Sequence, residues 1–350
     1  MPAYKNGNEW ESQFYYIDWT GQRKKKHKRG FKRQKDALNY EREFLVQQQG
    51  TPDMLFSSLY ECYKKDFTHR IRLSTIEIKE NLFKKHILPY FGNKPINKIT
   101  ATDIRSWQNK ILSMNYKATY IKTLHNQVSA ILNFAVKYYK LPNNPARQAG
   151  SIGKKNAQAM KFWTLEQFKK FIATFPPDSI CYVVFSILFY TGIRSGELLA
   201  LTPNDFSVEK KNLSINKTFT RINSKNIITP PKTEKSNRII ALPNFLVKIL
   251  NDYIENTPYI TPTDRLFPFT KSWLYKYIRK GAAAAGIEPI RVHDLRHSHA
   301  SLLIEMGFSP LLIQERLGHE DIKTTLQTYS HLYPAKQEQL IERLNKIIEP

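Results

Sequence analysis

Residues Ile180 to Tyr190 (ICYVVFSILFY) carry no charge, no glycine and no proline, and they run directly into Thr191-Gly192-Ile193-Arg194-Ser195-Gly196-Glu197-Leu198-Leu199-Ala200-Leu201. Such a run reads as a helix buried on most sides, and it is far shorter than the roughly 20 apolar residues of a membrane span. Gly192 lets the backbone turn where a side chain would clash, and a second apolar segment starts at Gly196 and Leu198 to Leu201. Arg194 is therefore held on a tight turn between two packed segments. Desolvating an unpaired guanidinium costs on the order of several kcal/mol. It must face either Glu197, three residues on, or an anion brought from outside. From this stretch alone both readings stand.

The charge balance favours an anion. The 350 residues hold 54 Lys and Arg against 30 Asp and Glu, a formal net charge of +24. An excess of that size opposes compaction unless it serves binding to a polyanion. It is spread across folded-looking sequence rather than gathered in a tail: residues 51–155 alone carry 18 basic and 6 acidic side chains. DNA or RNA is the leading partner, with an anionic membrane surface as the alternative. The N-terminus has no apolar signal region, and Cys62 and Cys181 are too few and too far apart for a disulfide framework. A cytoplasmic protein is expected.

Along the chain, residues 10–19 (WESQFYYIDW) favour a strand and Thr20-Gly21-Gln22 a turn. A basic run follows, with Arg23, Lys24, Lys25, Lys26, Lys28, Arg29, Lys32 and Arg33, and then helical spacing over Gln34–Gln49. A small basic sheet backed by one helix would lay cations along a DNA groove. After a linker at Gly50–Asp53, helical patterns cover Leu55–Asp66, Ser74–His86, Ala101–Leu112 and Ala118–Lys140, with turn material at Leu88–Pro95. Thr75 and Thr102 are the expected N-caps. A second linker runs from Leu141 to Lys155, and a larger domain starts near Phe162, with Thr164 as N-cap and Gln167 three residues on completing a capping box. Leu213–Thr220, Ile227–Pro230 and Arg238–Leu242 read as short antiparallel strands, and the chain is helical from Phe245 to an amphipathic end at Lys336–Ile348.

Three further stretches carry chemistry. In His293-Asp294-Leu295-Arg296-His297-Ser298-His299, His293 and Arg296 are neighbours on one helix face. His293 and His297 have zinc-like i, i+4 spacing, but no HExxH signature and no cysteine supports a metal. A phosphate clamp fits better, with the arginine fork on two oxygens and a histidine adding a donor or handling a proton. Leu317-Gly318-His319 follows a helical segment, Gly318 freeing the turn that aims His319. Tyr329 lies ten residues on, in Thr324-Thr325-Leu326-Gln327-Thr328-Tyr329-Ser330-His331.

Together these stretches resemble the tyrosine recombinase (integrase) family: Arg194 in TGIRSGELLAL, His293 and Arg296 in HDLRHSHASLL, His319 in LGH and Tyr329 in TTLQTYSHL, in the family's order. The resemblance is strong over roughly 160–333 and weaker upstream. There the basic sheet is similar to the arm-binding domain of integrases from conjugative transposons and temperate phages of Gram-positive bacteria. It implies a multidomain, mainly α protein. Residues 1–50 would be an arm-type DNA-binding domain (three-stranded sheet plus helix) and 54–148 an all-α, SAM-like core-binding domain. Residues 160–350 would be an α+β, mainly helical catalytic domain with a small antiparallel sheet and a C-terminal helix that docks in trans.

The implied activity is site-specific recombination of double-stranded DNA, integrating and excising a mobile element through a 3′-phosphotyrosyl intermediate and a Holliday junction. Tyr329 would be the nucleophile. Arg194 and Arg296 would hold the non-bridging oxygens, His319 would add a hydrogen bond and His293 would help take the tyrosine proton. Glu197 matches an acidic position that braces the first arginine. A hairpin lysine would protonate the leaving 5′ oxygen; Lys232 matches best, with Lys235 as rival. No cofactor, metal or ATP is implied. The implied partners are attachment-site DNA of core and arm types, further copies in a homotetramer, an excisionase and a host DNA-bending protein, with no membrane. A type IB topoisomerase and a catalytically silent DNA-binding regulator remain as alternatives.

Overall fold

The structure of the protein, a computed structural model, describes residues 3–7, 9–17, 23–49, 54–154, 160–231 and 233–329. The turn at Thr20–Gln22, the linker at Gly50–Asp53, Lys232 and the terminal segment Lys336–Ile348 lie outside these residues. The architecture is mainly helical with small antiparallel sheets, and the chain divides into two compact units, Met1–Gln158 and Ala159–Pro350.

The first unit opens with a three-stranded antiparallel sheet, β1 (Ala3–Asn6), β2 (Glu9–Ile17) and β3 (Arg23–Phe31), backed by helix α1 (Gln34–Gln49). The strand at Ala3–Asn6 was not legible in a short polar segment. Because side chains alternate along a strand, the register splits the basic run. Phe14 pairs with Lys26 and Tyr16 with Lys24, on the side where both rings meet Phe44 of α1. On that side the Lys26 ammonium lies 5.4 Å from the Phe44 ring and that of Lys28 4.5 Å from Tyr40. Tyr15 pairs with Lys25 on the opposite, open face, where the Arg23 guanidinium covers the Tyr15 ring at 4.4 Å. Arg33 does neither; it pairs with Asp36 (3.1 Å) at the start of α1.

Helices α2 (Phe56–Thr68), α3 (Leu73–Leu82), α4 (Leu88–Phe91), α5 (Ala101–Ser113), α6 (Ala118–Tyr138) and α7 (Pro145–Gln148) then enclose a core that includes Phe56, Phe83, Phe91, Trp107, Leu124 and Val128. Two expected caps are corrected. Thr102 lies inside the first turn of α5; the cap is Thr100, whose hydroxyl accepts from Asp103 N while Asp103 accepts from Thr100 N, both at 3.1 Å. Thr75 likewise lies inside α3, which follows Arg72. Ser74–His86 is not one regular helix either: a π-turn at Phe83–Ile87 leads into α4, whose Pro89 occupies a first-turn position that needs no N–H.

The second unit contains α8 (Leu165–Ile172), α9 (Ile180–Thr191), α10 (Ser195–Leu198), β4 (Phe206–Ser207), β5 (Asn212–Ile215), β6 (Thr218–Ile222), β7 (Lys225–Thr229), β8 (Arg238–Ala241), α11 (Asn244–Glu255), α12 (Lys271–Ala284), α13 (Asp294–Glu305), α14 (Pro310–Leu317) and α15 (Ile322–Tyr329). The Thr164–Gln167 box caps α8 as expected. The expected strand Leu213–Thr220 is broken. Asn216 and Lys217 both bind Asp205 (3.2 and 2.8 Å), so β5 joins β4 and β8 while β6 and β7 form a separate hairpin. The α9 side chains are buried almost all round, and this helix is the post on which the site is mounted.

Candidate active site

Helix α9 ends in Gly192, whose φ of +66° is left-handed, a conformation glycine adopts without strain. The position also has no room for a side chain. A Cβ there would lie 2.7 Å from the His299 ring and 2.8 Å from a Leu317 methyl. The turn delivers Arg194 to the N-cap of α10. Its backbone N–H donates to Glu197 Oε2 (2.8 Å) and its Nη1 to Oε1 (2.7 Å). The carboxylate is almost wholly buried, yet the arginine side chain is 37 % exposed. The carboxylate reading of the turn therefore holds: Glu197 fixes the guanidinium, and its outer edge stays open. Burial alone would raise the Glu197 pKa, but Arg238 and Arg194 outweigh it and hold the group below the ordinary carboxylate value.

Arg296 projects from the first turn of α13 and is 3 % exposed. Its Nη1 donates to Gly192 O (2.9 Å) and its Nη2 to Leu317 O (2.6 Å), the carbonyls closing α9 and α14. A cation is favoured where helix carbonyls lack partners. Burial and the neighbouring Arg194 lower its pKa to about 9, which leaves it charged at neutral pH.

Helix α14 ends in Gly318, left-handed at φ +67°, which turns the chain into His319. The imidazole Nδ1 lies 2.8 Å from Thr325 Oγ1. Burial and the nearby arginines hold it neutral, with a pKa of about 3. Tyr329 at the end of α15 is 1 % exposed, and its hydroxyl lies 2.7 Å from His297 Nδ1. Burial pushes the phenol up to about 12 and the His297 imidazole down to about 4, so both are neutral at pH 7. A neutral imidazole with its proton on Nε2 presents Nδ1 as acceptor to the phenol.

The expected residues are thus treated unequally. Arg194, Glu197, Arg296 and His319 are tied together by direct contacts or through the Gly192 and Gly318 turns. His293 sits at the N-cap of α13, exposed, its ring edge-on to His297 at 5.2 Å. The phenol contact belongs to His297. Its signal was present: a histidine one turn after His293 and adjacent to Arg296, which the zinc reading absorbed. The rival lysine Lys235 is committed elsewhere, its Nζ donating to Glu320 O at 2.9 Å. Lys232 lies outside the described residues. Arg238 and Arg316 escaped the sequence reading; Arg316 donates to His299 Nε2 (3.0 Å), Tyr190 O and Ala241 O. Among the described residues no cluster of His, Cys, Asp or Glu gathers as for a metal, and no helix is long and apolar enough to cross a membrane.

Two arginines, a buried carboxylate and a neutral tyrosine–histidine pair gather around two helix ends. Comparison with known proteins gives the class. The phage integrase family matches residues 159–336, the N-terminal SAM-like domain of phage integrases residues 55–112, and an arm DNA-binding domain residues 2–48. The ICEBs1 integrase of Bacillus subtilis is 30% identical over 281 residues, 76% of each chain. The tyrosine recombinase XerC-like protein of Caldanaerobacter subterraneus is 26% identical over 288 residues, 73% of each chain. The Tn1549 transposon integrase, solved in complex with a circular intermediate DNA, superposes with a TM-score of 0.70 at 21% identity, over 82% of this chain and 99% of that one. The chain belongs to the phage integrase family of tyrosine recombinases. It is a site-specific DNA recombinase.

Proposed function

We propose that the chain integrates and excises a mobile DNA element by cutting and rejoining strands through Tyr329. The observation that carries this reading is the Tyr329 hydroxyl held 2.7 Å from a neutral His297, one residue after Arg296. The phenol oxygen attacks the scissile phosphorus and its proton passes to His297 Nδ1. The bond from phosphorus to the 5′ oxygen breaks, the electron pair leaving with that oxygen, which takes a proton from the hairpin lysine. The engagement of Lys235 with Glu320 favours Lys232 for that part. Arg194 and Arg296 hold the non-bridging oxygens as charge develops, and His319 and His293 add donors. The phosphotyrosyl bond keeps the energy of the phosphodiester, so rejoining needs no other energy source. A second strand exchange resolves the Holliday junction.

In this reading residues 1–50 bind arm-type DNA through the open sheet face, 54–148 bind the core site, and 160–350 carry the chemistry. The C-terminal helix links protomers in trans within a tetramer, and an excisionase and a host DNA-bending protein set direction. The test is covalent trapping. A recognised nicked duplex, first selected from a random-sequence library by its binding to the full chain, is incubated with wild type and with Tyr329→Phe. Wild type should form a denaturation-resistant adduct mapping to Tyr329. The variant should bind the duplex and form none; an adduct in the variant refutes the assignment, and none in wild type favours a silent regulator.

A further inference from the structure

Strand β8 opens with an arginine that the proposed chemistry does not use. The Arg238 side chain is 7 % exposed, beside a Glu197 side chain at 4 %. Its three nitrogens serve three separate segments. Nε donates to Arg316 O (2.9 Å) near the end of α14, Nη1 to Ser236 O (3.1 Å) in the loop that follows Lys232, and Nη2 to Glu197 Oε2 (3.1 Å) in α10. Glu197 is thus shared between two guanidiniums, Arg238 behind it and Arg194 in front.

The turn that carries His319 rests on the same side chain. A Cβ on Gly318 would lie 3.0 Å from Arg238 Cδ and 3.0 Å from Lys235 O, so glycine is what lets the turn approach. Gly318 O in turn faces Arg194 Nη2 at 3.4 Å, and Lys235 Nζ reaches Glu320 O at 2.9 Å. Arg238 itself is no phosphate ligand, since it is buried and each nitrogen is engaged. A lysine could not replace it, having one nitrogen where three directions must be served.

We infer that Arg238 is a positioning residue for strand cleavage: through Glu197 it sets the Arg194 fork, and through the Ser236 and Arg316 carbonyls it keeps the hairpin-lysine loop and the His319 turn in register with that fork. The inference rests on the cleavage reading above. A misplacement of about 1 Å at a reacting centre costs on the order of 100-fold in rate, so loss of this hub should show in chemistry before it shows in binding.

The experiment uses the full chain and the trapped nicked duplex, and measures the single-turnover rate of adduct formation. Arg238→Lys should slow the adduct by about 10- to 100-fold while binding of the intact duplex stays within about twofold. Two readouts separate positioning from mere support. On a duplex with a neutral methylphosphonate at the scissile position there is less charge for Arg194 to stabilise, so the Arg238→Lys deficit should shrink, in parallel with that of Arg194→Ala. In an Arg194→Ala background, Arg238→Lys should cost less than it does in the otherwise wild-type chain, because the fork it sets through Glu197 is gone. A wild-type rate in Arg238→Lys overturns the inference, as do equal deficits on both substrates with losses that multiply in the double variant. If Arg238→Lys melts at the assay temperature, Glu197→Gln replaces it in the same comparison: a smaller deficit on the methylphosphonate supports the inference, and a wild-type rate or equal deficits overturn it. Failure of the cleavage reading is separate: it appears as no adduct at Tyr329 in wild type.

Discussion

The molecule uses cations in two contrasting ways. On β3 they stand on a sheet, in water, some lying over aromatic rings, with Glu11 as an acidic neighbour of Arg29. In the recombinase site Arg238 and Arg296 are buried, and with Arg194 they are held by helix-end carbonyls and one shared carboxylate. Exposed cations contribute attraction that is screened by salt and summed over many contacts, so each is individually dispensable. Buried, forked cations contribute direction, and none can be moved without disturbing its neighbours. One arrangement suits affinity for a polyanion and the other suits geometry.

The comparison breaks most clearly at Arg296. Arg296→Lys keeps a charge but cannot donate at once to Gly192 O and Leu317 O, so the ends of α9 and α14 lose their common anchor. Adduct formation should fall by about 100- to 1000-fold, the cost of one transition-state donor, and the deficit should persist at every salt concentration. A deficit erased at low salt would make Arg296 a mere source of attraction, like the strand lysines.

A second test uses acid. Burial holds His297, His299 and His319 neutral in the folded site, with pKa values of about 4, 3 and 3, against about 6.5 in an unfolded chain. The unfolded state therefore binds more protons below pH 6.5. The stability these groups contribute is fully present above pH 6.5 and is lost as pH falls from there toward 3 to 4. Each histidine adds up to about 1.4 kcal/mol per pH unit in that window. Melting temperature should drop between pH 7 and pH 5. His299→Gln, which keeps an acceptor for Arg316 Nε, should flatten the slope by about one histidine's share. An unchanged slope would mean that His299 is not held neutral by its burial.

How much of this was legible depended on whether a signal was local. The Arg194 turn was readable because an apolar helix, a glycine and an arginine within fifteen residues leave few options. The Thr100–Asp103 box is equally local, and the expected cap Thr102 lies two residues inside the helix that this box starts. The break after Ile215 was announced by polar Asn216 and Lys217, whose partner Asp205 comes from eleven and twelve residues earlier. The His297 contact depends on where α15 packs, and Arg238 lies 41 residues from Glu197. No periodicity or spacing rule encodes either, because each is created by tertiary packing of segments whose own patterns say only helix or strand.

The smallest expected effect sharpens the comparison within β3 itself. By register, Lys25 and Lys26 are adjacent in sequence yet stand on opposite faces, Lys25 beside Tyr15 on the open face and Lys26 over Phe44 of α1. If the open face meets phosphates, Lys25→Ala removes one released counterion. The slope of log K against log salt should become shallower by about 0.9, with a few-fold loss of affinity at moderate salt. Lys26→Ala should leave the slope alone and instead remove a cation–ring contact of about 0.5–1 kcal/mol, seen as a lower melting point of the sheet module. Titration of a random-sequence duplex at several salt concentrations, paired with thermal melts, reads both quantities. Equal slope changes for the two variants would mean that the helix-side lysines also reach DNA, and the division of labour would then run along the whole strand rather than across its two faces.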